Sequence, residues 1–308
     1  MDNSIELIVS YLHTYEEGED MGSSRRRRQQ VHRQLVILGG FIVLIAATVY
    51  GFGMQQSKKD GTLAAAKIEA DGTQDDNRKA KKKITESKEE TAAEQLARVK
   101  KQAAAAGYPK GVIELLDKNE ETVQFVEDYG KKKDGPNADT VGSGYTKGQI
   151  PLLLQWDERW GYAPYGTSIV AVSGCGPTCL SMVVSGLTGD WSVTPAKVAA
   201  YGSENGFVDE NNNTYWRFME EAPSNWNVSA RELPLVEQQV AAELQAGHPV
   251  ICSVGPGDFT DNGHFIVLTG YNNGELTIND PFSQKNSSRT WKFTEIQDQI
   301  AAMWVYSL

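Results

Sequence analysis

The fifteen residues SGCGPTCLSMVVSGL, 173–187, combine a nucleophile with a local geometry able to activate it. Gly174 and Gly176 flank Cys175 and allow a tight turn with close approach of a substrate backbone. Pro177 fits the first position of a helix that continues through Leu180, Met182, Val183 and Val184. Cys175 then sits at a helix N-terminus, where unpaired N–H groups and the helix dipole favour a thiolate. With a histidine beside it, such a setting lowers a thiol pKa from about 8.5 into the range of roughly 3.5 to 7.5. Cys179, one turn further in, falls on the face carrying core residues and reads as structural.

A nucleophilic cysteine needs a base. Of the four histidines, His13 and His32 precede the apolar run 35–53, which leaves His248 and His264. His248 lies in AGHPV, between a helix end and a strand, and reads as a turn residue. His264 opens HFIVLTGY directly after Gly263, so its ring can project from a sheet end toward a helix tip. Taken alone, a histidine beside an apolar strand is more often a satisfied core residue. The third partner accepts the second imidazole N–H and fixes the tautomer. Asp280, which ends ELTIND before Pro281, is the best placed acid: a hairpin around Asn272, Asn273 and Gly274 brings it to the same end as His264. Asp258 and Asp261 are weaker candidates, explained as solvated loop residues. Acyl transfer also needs donors for the oxyanion, commonly a backbone N–H plus a side-chain amide. Gln155, twenty residues upstream of Cys175, supplies such an amide, although by itself it reads as an ordinary surface glutamine.

Three cysteines do not make a disulfide framework in a domain of this size, and an odd count leaves at least one thiol unpaired within the chain. Cys175 and Cys179 on one helix are too far apart for an unstrained bridge. A Cys179 to Cys252 pair and two buried free thiols both stay open.

The elements that must position these residues follow in an α+β order. A strand QIPLLLQ (149–155) comes first, then helices over 177–187, after Pro195, after Asn213 and over 235–246. Strands PVICSV, HFIVLTGY and ELTIND come next, and the chain ends with a helix near Ile296 and a strand MWVYS. Ahead of this domain, 149–308, the lead-in 108–148 predicts two short helices with apolar Val112, Leu115, Leu116, Val123, Phe125 and Val126, packing on the domain and followed by a Gly-rich loop. The segment 54–107 is rich in Ala, Lys, Glu and Gln and too poor in aromatics to build a core. It reads as a charged stalk whose second half, 78–106, forms a solvated helix or weak coiled coil.

Nineteen residues without a charge, 35–53, are enough to cross a hydrocarbon core of roughly 30 Å as one helix. The polar stretch before them is too long for a cleaved signal peptide. Arg25 to Arg28 and Arg33 place the N-terminal segment 1–34 in the cytoplasm and the rest outside. Within 1–34, IELIVSYLHTYEE is an amphipathic helix candidate that docks a cytoplasmic or envelope partner or lies on the inner membrane surface.

Net charge is −10, and residues 150–308 carry 17 acidic against 7 basic side chains. An acidic outer domain argues against a nucleic-acid partner, which requires a basic footprint.

The motifs Q-W-D-x-x-W from Gln155, Y-x-P-Y-G from Tyr162, G-C-G-P-T around Cys175, G-H-F-x-V-x-T-G-Y around His264 and N-D-P around Asp280 stand together in one order. In this the stretch 149–308 resembles the C39-like peptidases of the papain-like superfamily, which are widespread in Gram-positive bacteria. The lead-in is similar to that of extracellular members. The resemblance implies a papain-like α+β fold, with an N-terminal helix carrying the cysteine packed on an antiparallel sheet. It implies Cys175 as nucleophile, His264 as base and acid, Asp280 as orienter and Gln155 as oxyanion donor, with a peptide or protein substrate and no metal or cofactor. The best-known members cleave double-glycine leaders from a cytoplasmic position fused to an export transporter; with the predicted location outside the membrane, that specificity is not carried over. A cell-wall peptide crosslink as substrate, or a non-catalytic peptide-binding module, are the other readings.

Overall fold

A computed structural model describes residues 90–308. The predicted cytoplasmic segment, the predicted span 35–53 and most of the predicted stalk lie outside the described residues. Among the described residues, no helix is long and apolar enough to cross a membrane.

The chain enters through three helices, α1 (Ala92–Ala105), α2 (Lys110–Lys118) and α3 (Val123–Lys132). Thr91 and Glu94 form a capping box that starts α1 by satisfying orphan N–H groups at both positions. The helix expected before Gly107 is therefore present, with one face solvated and the other buried. Leu96, Val99 and Ala103 make a narrow apolar stripe that packs on Val112, Leu115 and Leu116 of α2 and Phe125 and Val126 of α3. A stripe of three small or medium side chains in a charged helix is easily passed over, yet three such helices share one core.

Residues 149–155, expected to form a strand, have no ladder partner and end in a turn at Gln155. They lie along the central helix and beside the end of the sheet: Leu153 N–H points at Met182 Sδ, Asn279 Nδ2 donates to the Pro151 carbonyl, and Gln155 N–H donates to the Pro281 carbonyl at 2.7 Å. A two-stranded ribbon, β1 (Pro164–Tyr165) and β2 (Ser168–Ile169), follows, then α4 (Val170–Ser173) and α5 (Cys175–Thr188). Every residue from Gly176 to Leu187 is buried, so α5 is enclosed all round as a central helix, with only the small hydroxyls of Thr178, Ser181 and Ser185 among its buried polar side chains. Next come α6 (Pro195–Glu204) and α7 (Arg217–Glu221).

The remaining strands form one antiparallel sheet in the order β3-β8-β4-β5-β6-β7. They are β3 (Ser229–Glu232), β4 (Val250–Val254), β5 (His264–Asn272), β6 (Glu275–Asn279), β7 (Thr290–Lys292) and β8 (Ile300–Ser307). Helices α8 (Glu237–Gln245), α9 (Gln284–Ser287) and α10 (Phe293–Ile296) lie between them in sequence. Strand side chains alternate between faces. Ile251, Phe265, Val267, Trp304 and Tyr306 join the core around α5, whereas Val250, Cys252, Ile266, Leu268, Ile278 and Met303 join a second core with Val240 and Leu244 of α8. Both faces being covered explains why β4 and the first half of β5 are apolar apart from Ser253 and His264. The α+β, antiparallel arrangement expected from the element order is present.

The same alternation settles the cysteines. Cys179 lies in the core around α5 and Cys252 in the one beyond the sheet, and all three thiols are free. A Cys179–Cys252 bridge would have to pass through the sheet.

Candidate active site

Cys175 is the first residue of α5, with Gly174 as its N-cap. Pro177 is thus the third helical residue rather than the first; it still costs no hydrogen bond, because the first four N–H groups of a helix have no partner within it. Gly176 is required by a close approach: a Cβ there would meet Thr214 Oγ1 at 2.7 Å and Cγ2 at 2.9 Å. The hydroxyls of Thr214 and Tyr165 share a hydrogen bond of 2.7 Å, which pins the 209–216 loop beside the helix tip. The Cys175 side chain is partly exposed in a cleft of about 1110 Å³, whose lining includes Gln155, His264, Thr214, Trp216 and Phe282.

His264 opens β5 and faces this cleft. Its Nε2 lies 2.8 Å from Asp280 Oδ1, and the pair is buried. With Nε2 committed to the acid, Nδ1 is the nitrogen that serves the thiol. Asp280 is held on every side: Phe282 N–H donates to Oδ1 at 2.8 Å, Asn286 Nδ2 donates to Oδ2 at 2.8 Å, and its own N–H donates to Ser287 Oγ at 2.9 Å. The Phe282 ring stands edge-on to the imidazole at 6.4 Å.

The electrostatics follow from this packing. Burial alone would raise the Cys175 thiol, but the hydrogen bond and charge of His264, with the backbone N–H groups of Phe265 and Gly176, outweigh it and bring the thiol below its ordinary value. Burial would likewise depress the imidazole, yet Asp280 and then Cys175 outweigh it and raise His264 to about 10. For Asp280 too, burial opposes ionisation, and the charge and hydrogen bond of His264 together with Asn286 and Phe282 hold the carboxyl below the usual carboxylate range. All three shifts point the same way, to a thiolate facing an imidazolium backed by a carboxylate. Cys179 and Cys252 go the opposite way, because burial without a cation pushes both thiols up. Cys179 Sγ instead lies 3.3 Å from the Phe265 carbonyl.

Gln155 is buried at the cleft wall, and one of its two Nε2 hydrogens is used in donating to the Ala171 carbonyl at 2.8 Å. Its Oε1 is buried without a hydrogen-bond partner among the described residues. Of the four predicted site residues, Gln155, Cys175 and His264 line one cleft, and Asp280 is buried behind them, bonded to His264.

The model of the Peptidase_C39 like family matches residues 147–307. The chain belongs to this family. Two solved structures are also similar. One, described as a C39-like peptidase from Bacillus anthracis, shares 15% identity over 54% of this chain and 98% of its own, with a TM-score of 0.36. The other, the peptidase domain of Streptococcus ComA, described as a bifunctional ABC transporter in a quorum-sensing pathway, shares 20% identity over 43% of this chain and 89% of its own, with a TM-score of 0.33. No curated protein matches.

Other residues weighed from the sequence fall outside the cluster of Cys175, His264 and Asp280. His248 pairs with Glu243 at 2.8 Å, away from the cleft, as its turn position implied. Asp258 and Asp261 line the cleft, but neither bonds His264; Asp258 Oδ2 accepts from Gln299 Nε2 at 2.7 Å. Among the described residues no cluster of three or more His, Cys, Asp and Glu side chains is arranged to hold a metal ion. Sequence reasoning missed Asn286, Phe282 and Thr214. Asn286 and Phe282 follow N-D-P closely enough for a turn-reading to suggest them, whereas nothing local connects Thr214 to Gly176.

Proposed function

We propose that this chain is a cysteine peptidase that hydrolyses peptide bonds through Cys175, His264 and Asp280, with Gln155 as oxyanion donor. The observation that carries the reading is the buried Asp280–His264 hydrogen bond facing a thiol whose pKa lies below its ordinary value. In the reaction the Cys175 thiolate attacks the scissile carbonyl carbon, and the carbonyl π electrons move onto oxygen. That oxyanion lies against the free Gln155 amide hydrogen and the N–H groups at the start of α5, donors already fixed before reaction. His264 passes its Nδ1 proton to the departing amine as the C–N bond breaks, leaving a thioester. It then takes a proton from water, whose oxygen attacks the thioester and releases the carboxylic acid and the thiolate. Asp280 retains its charge throughout and holds the imidazole by Nε2.

The substrate is a peptide or protein outside the membrane, with the domain tethered through the apolar run 35–53 and the N-terminal segment inside. Support for this placement is the uncharged length of that run and the arginines before it. Protease treatment of intact cells tests it: digestion of the C-terminal domain with protection of an N-terminal tag is expected, and the reverse pattern overturns it. The catalytic reading is tested by labelling with a thiol-reactive peptidyl ketone. Labelling should vanish in Cys175→Ala; labelling that persists and moves to Cys252 overturns the assignment.

A further inference from the structure

The turn at 119–121 lies outside the residues matched by the family, 147–307, yet it reaches the acid end of the site. Asn119 Nδ2 donates to the Phe282 carbonyl at 2.6 Å, an oxygen that also accepts from Trp156 Nε1 at 2.8 Å. Glu121 spreads its carboxylate over two consecutive backbone amides, Gln284 N–H on Oε2 at 2.9 Å and Lys285 N–H on Oε1 at 3.2 Å. These N–H groups open α9, where no partner exists within the helix and a negative charge is favoured. Asn119 in turn fixes the carboxylate, accepting the Glu121 N–H at 3.0 Å and donating to Glu121 Oε2 at 3.2 Å. Within the clasped segment, Phe282 and Asn286 are the donors to the two oxygens of Asp280. A path of hydrogen bonds and one short helix therefore runs from the lead-in to the imidazole.

We infer that Asn119 and Glu121 are positioning residues for the reaction, holding 281–287 so that Asp280 presents Oδ1 to His264. The inference rests on the peptidase reading above. It means that the triad of this chain is completed by a clamp from the helical lead-in. The ionisable groups facing the Cys175–His264 pair are Asp280, Cys179 and Tyr165, with Asp258 and Asp261 on the cleft wall, and those beside the clamp are Asp117, Lys118, Glu120 and Lys285. Glu121 bonds neither Cys175 nor His264, so its effect must pass through Asp280.

The test uses the full chain and iodoacetamide, which reports the Cys175 thiolate without any substrate. Alkylation rates from pH 4 to 9 are compared for wild type, Glu121→Ala, Glu121→Gln, Asn119→Ala and, as a control, Lys110→Ala, whose side chain is 90% exposed and pairs with Glu114. Losing the clamp weakens the hydrogen bonds holding Asp280, so the imidazolium loses support and the thiolate midpoint rises. The expected rise is about half to one unit in Glu121→Ala, which slows alkylation below the midpoint about three- to tenfold. Glu121→Gln keeps one acceptor oxygen and should recover part of the rate; Asn119→Ala should show a smaller rise, and Lys110→Ala none. A midpoint identical to wild type in Glu121→Ala and Asn119→Ala overturns the clamp, including when melting temperature falls. If Glu121→Ala does not fold, Glu121→Gln and Asn119→Ala decide the matter in the same way. Failure of the peptidase reading looks different: wild-type Cys175 would then alkylate with the midpoint of an ordinary thiol.

Discussion

Replacing Asp280 by Asn keeps the size of the side chain and removes the charge that makes His264 an imidazolium. Asp280 is almost wholly buried, with 1% of its side chain exposed against 8% for His264, so water cannot screen the change. After the opposing effect of burial, the charge and hydrogen bond of Asp280 are the largest influences on the imidazole and rank above Cys175 in lifting it from 6.5 to about 10. Losing the larger share of that lift should bring the imidazole down by about two units, or roughly 3 kcal/mol of lost support. The sign follows from which species must be present. The ion pair exists above the lowered thiol pKa and below the raised imidazole pKa, so activity rises with pH through the first and falls through the second. In Asp280→Asn the upper limit moves down and the lower limit moves up, and the window narrows from both sides. The upper limit still lies above neutral pH, so the loss there comes from the lower limit, and kcat/KM falls about tenfold for each unit by which that limit passes the assay pH. The assay is the pH dependence of kcat/KM on a peptide chosen from a mixed library, paired with iodoacetamide alkylation of Cys175, in a variant shown by near-ultraviolet circular dichroism to keep its tertiary structure. An upper limit that stays within half a unit of wild type would refute the assignment of Asp280 as the source of the imidazolium.

Gln155→Ala removes the side-chain oxyanion donor and should lower kcat by about 10²–10³ while KM changes little; an equal rise in KM with kcat unchanged would assign Gln155 to substrate binding instead. In native protein, iodoacetamide should modify Cys175 alone, and all three cysteines only after denaturation, as read by intact mass; a second adduct on the folded chain would contradict the burial of Cys179 and Cys252. Gly176→Ala drives a methyl group against Thr214, 2.7 Å from its Oγ1, and should cost about 1–3 kcal/mol in thermal or urea unfolding. An unchanged midpoint would show that the 209–216 loop moves freely away from the helix tip.

What the sequence determined by itself was local chemistry and local pattern. Glycines around Cys175 marked a turn into a helix, the runs PVICSV and HFIVLTGY marked strands, and Asn273–Gly274 marked a hairpin. That hairpin is realised with both residues at positive φ, 52° and 88°, the geometry of a tight two-residue turn. The order of motifs then pointed to the family. Tertiary structure decided the rest, because it depended on which distant segments meet. A bulge between Leu268 and Gly270 shifts the β5–β6 register by one residue, and no count along the sequence supplies that shift, which sets what stands opposite Asp280. The 149–155 segment has strand-like composition but finds a helix and a sheet end as neighbours, so it makes single hydrogen bonds instead of a ladder. Helix α1 looked solvated because its apolar stripe is three side chains wide, and only α2 and α3 reveal what it covers. Asn119 and Phe282 lie 163 residues apart, and the hydrogen bond between them exists only once the lead-in has folded against the sheet. A sequence states which groups can donate and accept; the packed chain decides which of them are close enough to do so.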